Sequence, residues 1–397
     1  MPNALPELLA SAAALEVSVV IPCLNEADTV AICVAKARRA LAEAGMVGEV
    51  IVADNGSTDD SRRLAAEAGA VVVAVPERGY GAALMGGIAA ARGRFVVMGD
   101  ADDSYDFLEV PRLVEKLRQG YDLVQGCRLP SGGGRVLPGA MPFLHYWLGN
   151  PLFSMLTRLW FGSPVRDVHC GLRGFRREFQ EGLGQRCTGM EFATEMVLKA
   201  ALSGARIAQV GITLHPDGRR SHPPHLRTFR DGWRHLRLLL VYTPRWLFLL
   251  PGLALVSLGI LGYAIAMPRL KIGPATFDVN TLLFASLGLI LGLQCLLFFV
   301  VTKAFAISAG LLPPDPALKR FLDLAQLEKG LLAGAVLFAL GLVFLLVAVN
   351  DWRLAGFGPL NYEHTLRIVI PGANFVSLGV QTVFSSFLVS LLAMQRR

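Results

Sequence analysis

The stretch VSVVIPCLNE, residues 17–26, decides the fold class. Its apolar, mostly β-branched run is broken only by Ser18 and stops at Pro22, after which Asn25 and Glu26 follow. A strand apolar on both faces suits a buried parallel sheet, because helices must then cover both sides. Working outward, the same pattern returns as EVIVA at 49–53, AVVVAV at 70–75 and RFVVM at 94–98, with helical stretches between. This repetition predicts a doubly wound α/β unit over 16–126, whose ligands sit at the C-terminal ends of the strands. A helix at 191–203 and a strand near 206–213 extend it.

Those strand ends are acidic. Asn25 and Glu26 follow the first, Asp54-Asn-Gly-Ser-Thr-Asp59 the second, and Asp100-Ala-Asp102 the fourth. Carboxylates gathered on one sheet edge repel unless a cation sits among them, and a hard divalent ion completed by ligand phosphates meets that need. Ser57, Thr58 and Asp59 also read as the cap of the next helix. A phosphate loop of the G-x-x-x-x-G-K-[ST] type is absent, and Gly79-Tyr-Gly81 lacks the third glycine of a dinucleotide fingerprint.

The remainder differs in composition. Of 397 residues 53% are hydrophobic and 17% charged, against about a quarter charged in an ordinary soluble domain. Residues 247–397 contain 10 Lys+Arg and 6 Asp+Glu, against 28 and 25 before them. Four stretches, 246–267, 281–302, 330–349 and 368–394, are long enough to cross a bilayer core of about 30 Å. Four spans return the chain to its starting side, and Lys303, Lys319, Arg320, Lys329, Arg396 and Arg397 then share the cytoplasmic side with the first unit. Residues 1–15 form an N-terminal extension without a secretory signal's pattern. The aromatic segment 141–162 reads as interfacial helices, or else as a loop packed on the soluble core. Residues 216–245 form a basic juxtamembrane segment suited to anionic headgroups. Six cysteines without a C-x-x-C pair argue against a disulfide framework or zinc cluster. A net charge of +7 with no basic stripe or nucleic-acid motif speaks against nucleic acid as a partner.

Pro22-Cys-Leu-Asn25-Glu26, Asp54 to Asp59, Arg78-Gly79-Tyr-Gly81 and Asp100-Ala-Asp102 resemble the family-2 glycosyltransferases of GT-A fold. Gly126-Cys-Arg128, Cys170-Gly-Leu-Arg173-Gly-Phe175 and Gly189-Met-Glu191-Phe narrow the likeness to polyprenol-phosphate glycosyltransferases such as dolichol-phosphate mannose and glucose synthases. The resemblance covers roughly residues 16–245. It implies a Rossmann-like GT-A domain over 16–215, followed by an α-helical transmembrane bundle over 246–394. It assigns Glu26 and Asp54 to the nucleotide, with Pro22, Asn25, Gly79 and Gly81 shaping that site. It assigns Asp100 and Asp102 to Mg²⁺ or Mn²⁺, and Arg128 and Arg173 to the acceptor phosphate. Arg219, Arg220 and Ser221 read either as a loop closing on the donor diphosphate or as headgroup-binding residues. Ser104 stands where the family often has Gln, which weakens the expectation of a third protein ligand to the metal.

The implied reaction is single in-line displacement, with inversion, at the anomeric carbon of a UDP- or GDP-hexose by the phosphate of undecaprenyl or dolichyl phosphate. A phosphate monoester with a second pKa of about 6 is mostly dianionic at cytoplasmic pH and needs no strong base. Asp167 is the carboxylate that a base mechanism would use. Rival readings are a processive polysaccharide synthase, whose Q-x-x-R-W is replaced here by Tyr242-Thr-Pro-Arg245-Trp246, and a transporter or scaffold with a nucleotide-binding domain. The expected location is the inner, cytoplasmic membrane, as a multi-pass protein; association into homo-oligomers is left open.

Overall fold

The computed structural model describes residues 15–220, 227–324 and 326–394. The chain divides into two compact units, Met1–Leu239 and Leu240–Arg397.

In the first unit, strands β1 (Val17–Cys23), β2 (Gly48–Asp54), β3 (Val71–Ala74), β4 (Phe95–Met98) and β5 (Leu123–Cys127) follow the apolar runs. Helices α1 (Val30–Glu43), α2 (Ser61–Glu67), α3 (Tyr80–Ala90) and α4 (Val110–Arg118) connect them. Beyond β5 come β6 (Arg135–Val136), α5 (Asn150–Phe161), β7 (Arg173–Arg176), α6 (Arg177–Leu183), α7 (Phe192–Leu202), β8 (Ile207–Gly211), β9 (Thr213–Leu214) and α8 (Thr228–Tyr242). The seven-stranded sheet runs β3-β2-β1-β4-β7-β5-β8.

Every residue of β1 is buried, because successive side chains leave by opposite faces. Val19 and Ile21 pack with Val34 and Leu113 on one side, and Val20 with Leu84 and Met196 on the other. Each such aliphatic side chain contributes about 1.5–3 kcal/mol on burial. β3, read from sequence as another apolar run, is the edge strand, and Val71 is exposed.

One strand departs from the expected all-parallel sheet. β7 runs antiparallel to both β4 and β5 and separates them. Its four residues, Arg-Gly-Phe-Arg, carry too little apolar pattern to announce a central strand. The β4 and β5 loops are therefore set one strand further apart than a simple βαβ count places them.

Chain order reverses between β1 and β4, the switch point at which open α/β sheets bind ligands. Pairing of β1 with β4 ends at Val20–Met98, whereas pairing with β2 continues to Cys23–Asp54. The Val20 carbonyl accepts from the Gly99 N–H, so strand parity turns the nitrogen of Pro22 toward the same edge, past the point where the ladder stops. Proline, which has no N–H to leave unpaired, is tolerated at such a place.

In the second unit a π-helical turn at Arg245–Leu249 leads into α9 (Leu250–Ala266), followed by α10 (Val279–Ser308), α11 (Pro316–Leu324), α12 (Leu327–Leu354) and α13 (Tyr362–Met394). Four helices are apolar and long enough to span a membrane: Arg245–Ala266, Val279–Ser308, Leu327–Leu354 and Tyr362–Leu392. The second and third extend beyond their sequence stretches at both ends and the fourth begins six residues earlier, because helical hydrogen bonding continues into flanking polar turns, while the first keeps its length. Small residues let them approach: a Cβ on Gly341 would lie 2.6 Å from the Gly372 carbonyl oxygen, and one on Gly379 2.6 Å from the Phe338 nitrogen.

Candidate active site

The loops after β1, β2 and β4 meet at the switch point. Asn25 adopts φ 57° and Asp103 φ 59°, left-handed conformations that short polar side chains tolerate best. Asn25 Oδ1 accepts from the Thr58 N–H at 2.8 Å, joining the first loop to the second. Asn55 joins the second to the third: its Nδ2 donates to Glu77 O at 2.7 Å, and its Oδ1 accepts from the Gly79 N–H at 2.7 Å.

Asp54 lies beneath this rim. Its buried carboxylate accepts from the N–H groups of Gly56 and Ser57 and from Arg62 Nε at 2.6 Å. It therefore shapes the 54–59 turn instead of standing open to a ribose, as the resemblance implies for it. Asp59 accepts from the Ser61 N–H at 3.0 Å and from the Ala27 N–H at 3.1 Å, so it serves the start of α2 and pins the neighbouring loop as well. Those bonds outweigh burial and hold its pKa below the usual value.

Gly79 and Gly81 are placed differently from expectation. A Cβ on Gly79, whose φ is 141°, would meet the Thr188 carbonyl oxygen at 2.2 Å, and one on Gly81 would meet the Cys187 oxygen at 2.3 Å. The missing side chains admit the 187–189 backbone. Pro22 likewise is buried within β1 and shapes the loop from below.

Asp100 and Asp102 follow β4 and share the rim. Asp100 Oδ1 accepts from the Tyr80 hydroxyl at 2.8 Å, and the glycine at 171 gives room for Oδ2, which would lie 2.6 Å from any Cβ there. Burial and then the negative charge of Asp102 push the Asp100 carboxyl up to about 6. Asp102 Oδ1 accepts from the Ser104 N–H and hydroxyl, while Oδ2 faces Arg219 Nη1 at 3.2 Å. The pair suits a hard divalent cation: the donors are carboxylate oxygens, their mutual repulsion is only partly relieved at Asp100, and a positive group is already drawn to Asp102. Among the described residues no cluster of three or more His, Cys, Asp or Glu side chains converges on a metal position.

Arg219 is the cation at this rim. Its guanidinium donates to Glu26 through Nε at 2.9 Å and Nη2 at 2.6 Å, and reaches Asp102 and Asp217. Glu26 is itself buried. The backbone around Arg219 is tied down by Gly218 N–H to Asp102 O at 2.8 Å and Arg220 N–H to Asp28 Oδ2 at 3.0 Å. Ser221 lies outside the described residues.

Opposite Asp102, Arg128 follows β5. Its Nε and Nη2 form a bidentate pair with Asp167 at 2.7 and 2.8 Å, and Nη1 donates to the Tyr105 hydroxyl at 3.3 Å. Tyr105 in turn accepts from the Gly171 N–H at 2.9 Å, and both Arg128 and Arg219 lower the pKa of Asp100 electrostatically. The Tyr105 hydroxyl therefore links Arg128 to Gly171, the residue against which Asp100 Oδ2 lies. Asp167, fully buried and bonded also to the Arg128 N–H, orients Arg128 and is not open to act as a base.

Arg173 corrects another expectation. It lies in β7, wholly buried, and donates to the carbonyls of Ala193 at 2.6 Å and Cys170 at 2.5 Å. Such a fork is closed to an acceptor phosphate; it ties the 168–171 turn, which carries Gly171, to α7. Tyr80 and Tyr105, which the sequence reading passed over, link these parts through their hydroxyls. An aromatic beside acidic or glycine-rich positions was the only trace of them in the sequence. His169 and His235 lie against each other with ring centroids 4.4 Å apart and planes tilted by 51°, and burial keeps both below the usual imidazole pKa.

Comparison with known proteins finds matches in both units. The model for glycosyl transferase family 2 matches residues 18–183, and that for the glycosyltransferase family 2 C-terminal transmembrane region matches residues 300–393. The chain is 37% identical over 392 residues to the low-salt glycan biosynthesis hexosyltransferase Agl6 of Haloferax volcanii, covering 97% of this chain and 92% of that one. It is 31% identical to a dolichyl-phosphate hexose transferase of the same organism, over 46% of this chain and 76% of the relative. With the undecaprenyl-phosphate 4-deoxy-4-formamido-L-arabinose transferase of Klebsiella pneumoniae it shares 29% identity, over 70% and 84%. Near full-length similarity of this kind, added to matches in both units, makes the chain a member of glycosyltransferase family 2 with a C-terminal transmembrane region.

Proposed function

We propose that the chain is a membrane-bound inverting hexosyltransferase that moves one sugar from a UDP- or GDP-hexose to a polyprenyl phosphate, undecaprenyl or dolichyl. The observation that carries this reading is the neighbourhood of the acidic pair and an arginine: Asp100 Oδ2 lies against Gly171, whose N–H shares the Tyr105 hydroxyl with Arg128 Nη1. The printed activities of the relatives, hexose transfer and dolichyl- or undecaprenyl-phosphate transfer, support it.

Mg²⁺ or Mn²⁺ held by Asp100 and Asp102 would supply charge neutralisation of the departing nucleoside diphosphate. The protein's own residues do the rest. Tyr80 fixes one Asp100 oxygen, and Ser104 fixes one of Asp102. Arg128, held in one plane by Asp167, keeps donors beyond the three engaged here for the acceptor phosphate. Since that phosphate is already largely ionised, Asp167 need not remove a proton. Rate enhancement then comes from positioning and electrostatic complementarity. The catalytic unit and the C-terminus lie on the cytoplasmic side of the cell membrane, as an even number of spans and the basic connections favour.

The test is transfer of radiolabelled hexose from UDP- and GDP-sugars in membranes holding the full chain, with Mg²⁺ or Mn²⁺, followed by mass analysis of the lipid product. A mono-glycosylated polyprenyl phosphate is expected. Polymer as the product, or no lipid-linked sugar from any donor, rejects the proposal. Asp102→Asn is expected to lower turnover by about 10²-fold or more, in the range for loss of a principal electrostatic group.

A further inference from the structure

Arg219 occupies the position at which incoming cations would be drawn. Its side chain, 11% exposed, is shared among Glu26, Asp102 and Asp217, with Nη1 3.2 Å from the Asp102 oxygen that does not face Ser104. A divalent ion on that oxygen and a guanidinium beside it are like charges competing for one carboxylate. The same guanidinium covers both oxygens of Glu26 at 2.9 Å, so the carboxylate assigned to the nucleotide is masked by the residue that masks the metal position.

We propose that Arg219 is the resident counter-ion of the donor site, that divalent metal and nucleoside diphosphate enter by displacing it, and that this displacement couples their binding. The inference rests on the metal role given above to Asp100 and Asp102. Displacement is a side-chain rotation, because the flanking backbone is fixed: Gly218 donates to Asp102 O, Arg220 to Asp28, and His215 to Ser104 O at 2.9 Å. Thr29 leaves no room for a side chain at Gly218, where a Cβ would come within 2.8 Å of it, so the strap lies directly on the rim. Metal alone must draw Arg219 off Asp102 while Glu26 and Asp217 still hold it at the rim. A diphosphate gives the freed guanidinium a new anionic partner while Glu26 opens, so each ligand strengthens the other by the same factor.

The test is Mn²⁺ binding to the purified full-length protein in detergent, read by the paramagnetic resonance of free Mn²⁺, without nucleotide and then with UDP or GDP. Arg219→Gln is expected to bind Mn²⁺ at least fivefold more tightly than the parent without nucleotide, and to gain correspondingly less when nucleotide is added. Arg219→Lys, which keeps the charge, should stay within about twofold of the parent. Equal or weaker Mn²⁺ binding by folded Arg219→Gln overturns the displacement. Should that variant not fold, the parent decides: Mn²⁺ without nucleotide should accelerate phenylglyoxal labelling of Arg219, mapped by mass spectrometry, and unchanged labelling overturns the inference. Asp102→Asn separates the two levels. Its failure to weaken Mn²⁺ binding counts against the metal assignment itself, whereas a weakened Asp102→Asn beside an unaltered Arg219→Gln counts against displacement alone.

Discussion

Asp167 and Arg128 are one device. Two side-chain bonds and one backbone bond fill the buried carboxylate, which makes it a splint for the arginine. Asp167→Asn keeps an acceptor oxygen but loses the charge, and is expected to destabilise the protein by about 2–3 kcal/mol, somewhat under the usual loss for a broken buried pair. Denaturant unfolding in detergent measures this. Its turnover at saturating substrate should remain at or above about a tenth of the parent's, with KM for the lipid raised and the pH profile of kcat unchanged. A lost alkaline or acidic limb would restore Asp167 as a base. Arg128, Asp100 and Asp102 could be placed at strand ends from the sequence, because each follows a strand the chain forms. The sequence reading misassigned Arg173 because nothing in Cys-Gly-Leu-Arg distinguishes a phosphate fork from one that binds carbonyls; burial alone decides.

At the scale of elements, α7 supports the site indirectly. Glu195 and Lys199, one helical turn apart and buried, hold the 184–187 loop: the carboxylate accepts from the N–H groups of Arg186 and Cys187, and Lys199 donates to Gly184 O. That loop continues into the backbone lying against Gly79 and Gly81. Burial opposes ionisation of Glu195, but the two N–H groups and Lys199 prevail and lower its pKa. Its stabilising contribution is therefore complete above the unfolded value of 4.5 and declines as pH falls through the lower folded value. Glu195→Gln should reduce stability at pH 7 by about 3 kcal/mol and flatten the stability-against-pH curve below the unfolded pKa, as followed by urea titrations. Gly79→Ala should cost about 2 kcal/mol or more, since both the φ of 141° and the Thr188 oxygen oppose a side chain. β1, β2 and β4 were legible because buried parallel strands are written as apolar runs, and the edge strand β3 shares that pattern. β7 was not, because a short strand flanked by arginines is made by its neighbours' hydrogen bonds and not by its own pattern.

For the molecule as a whole, composition already separated the two units, and the four long helices match the four apolar stretches. Their exact ends were not legible, since hydropathy falls before helical bonding does. The helices should keep the full chain in the membrane pellet through alkaline carbonate extraction. Gly341→Leu should part α12 from α13 and lower the thermal midpoint in detergent by the equivalent of about 1–3 kcal/mol.

The parting of β1 from β4 beyond Val20 and Met98 has one more consequence. A cleft between adjacent strands stays open only while nothing stitches its lips together, and Pro22 contributes by being unable to offer a stitch. Pro22→Ala would put an unmatched amide on that lip, inviting either a trapped water or one more rung across the gap. The parting of the two strands is upheld here by a bond the chain is chemically incapable of making.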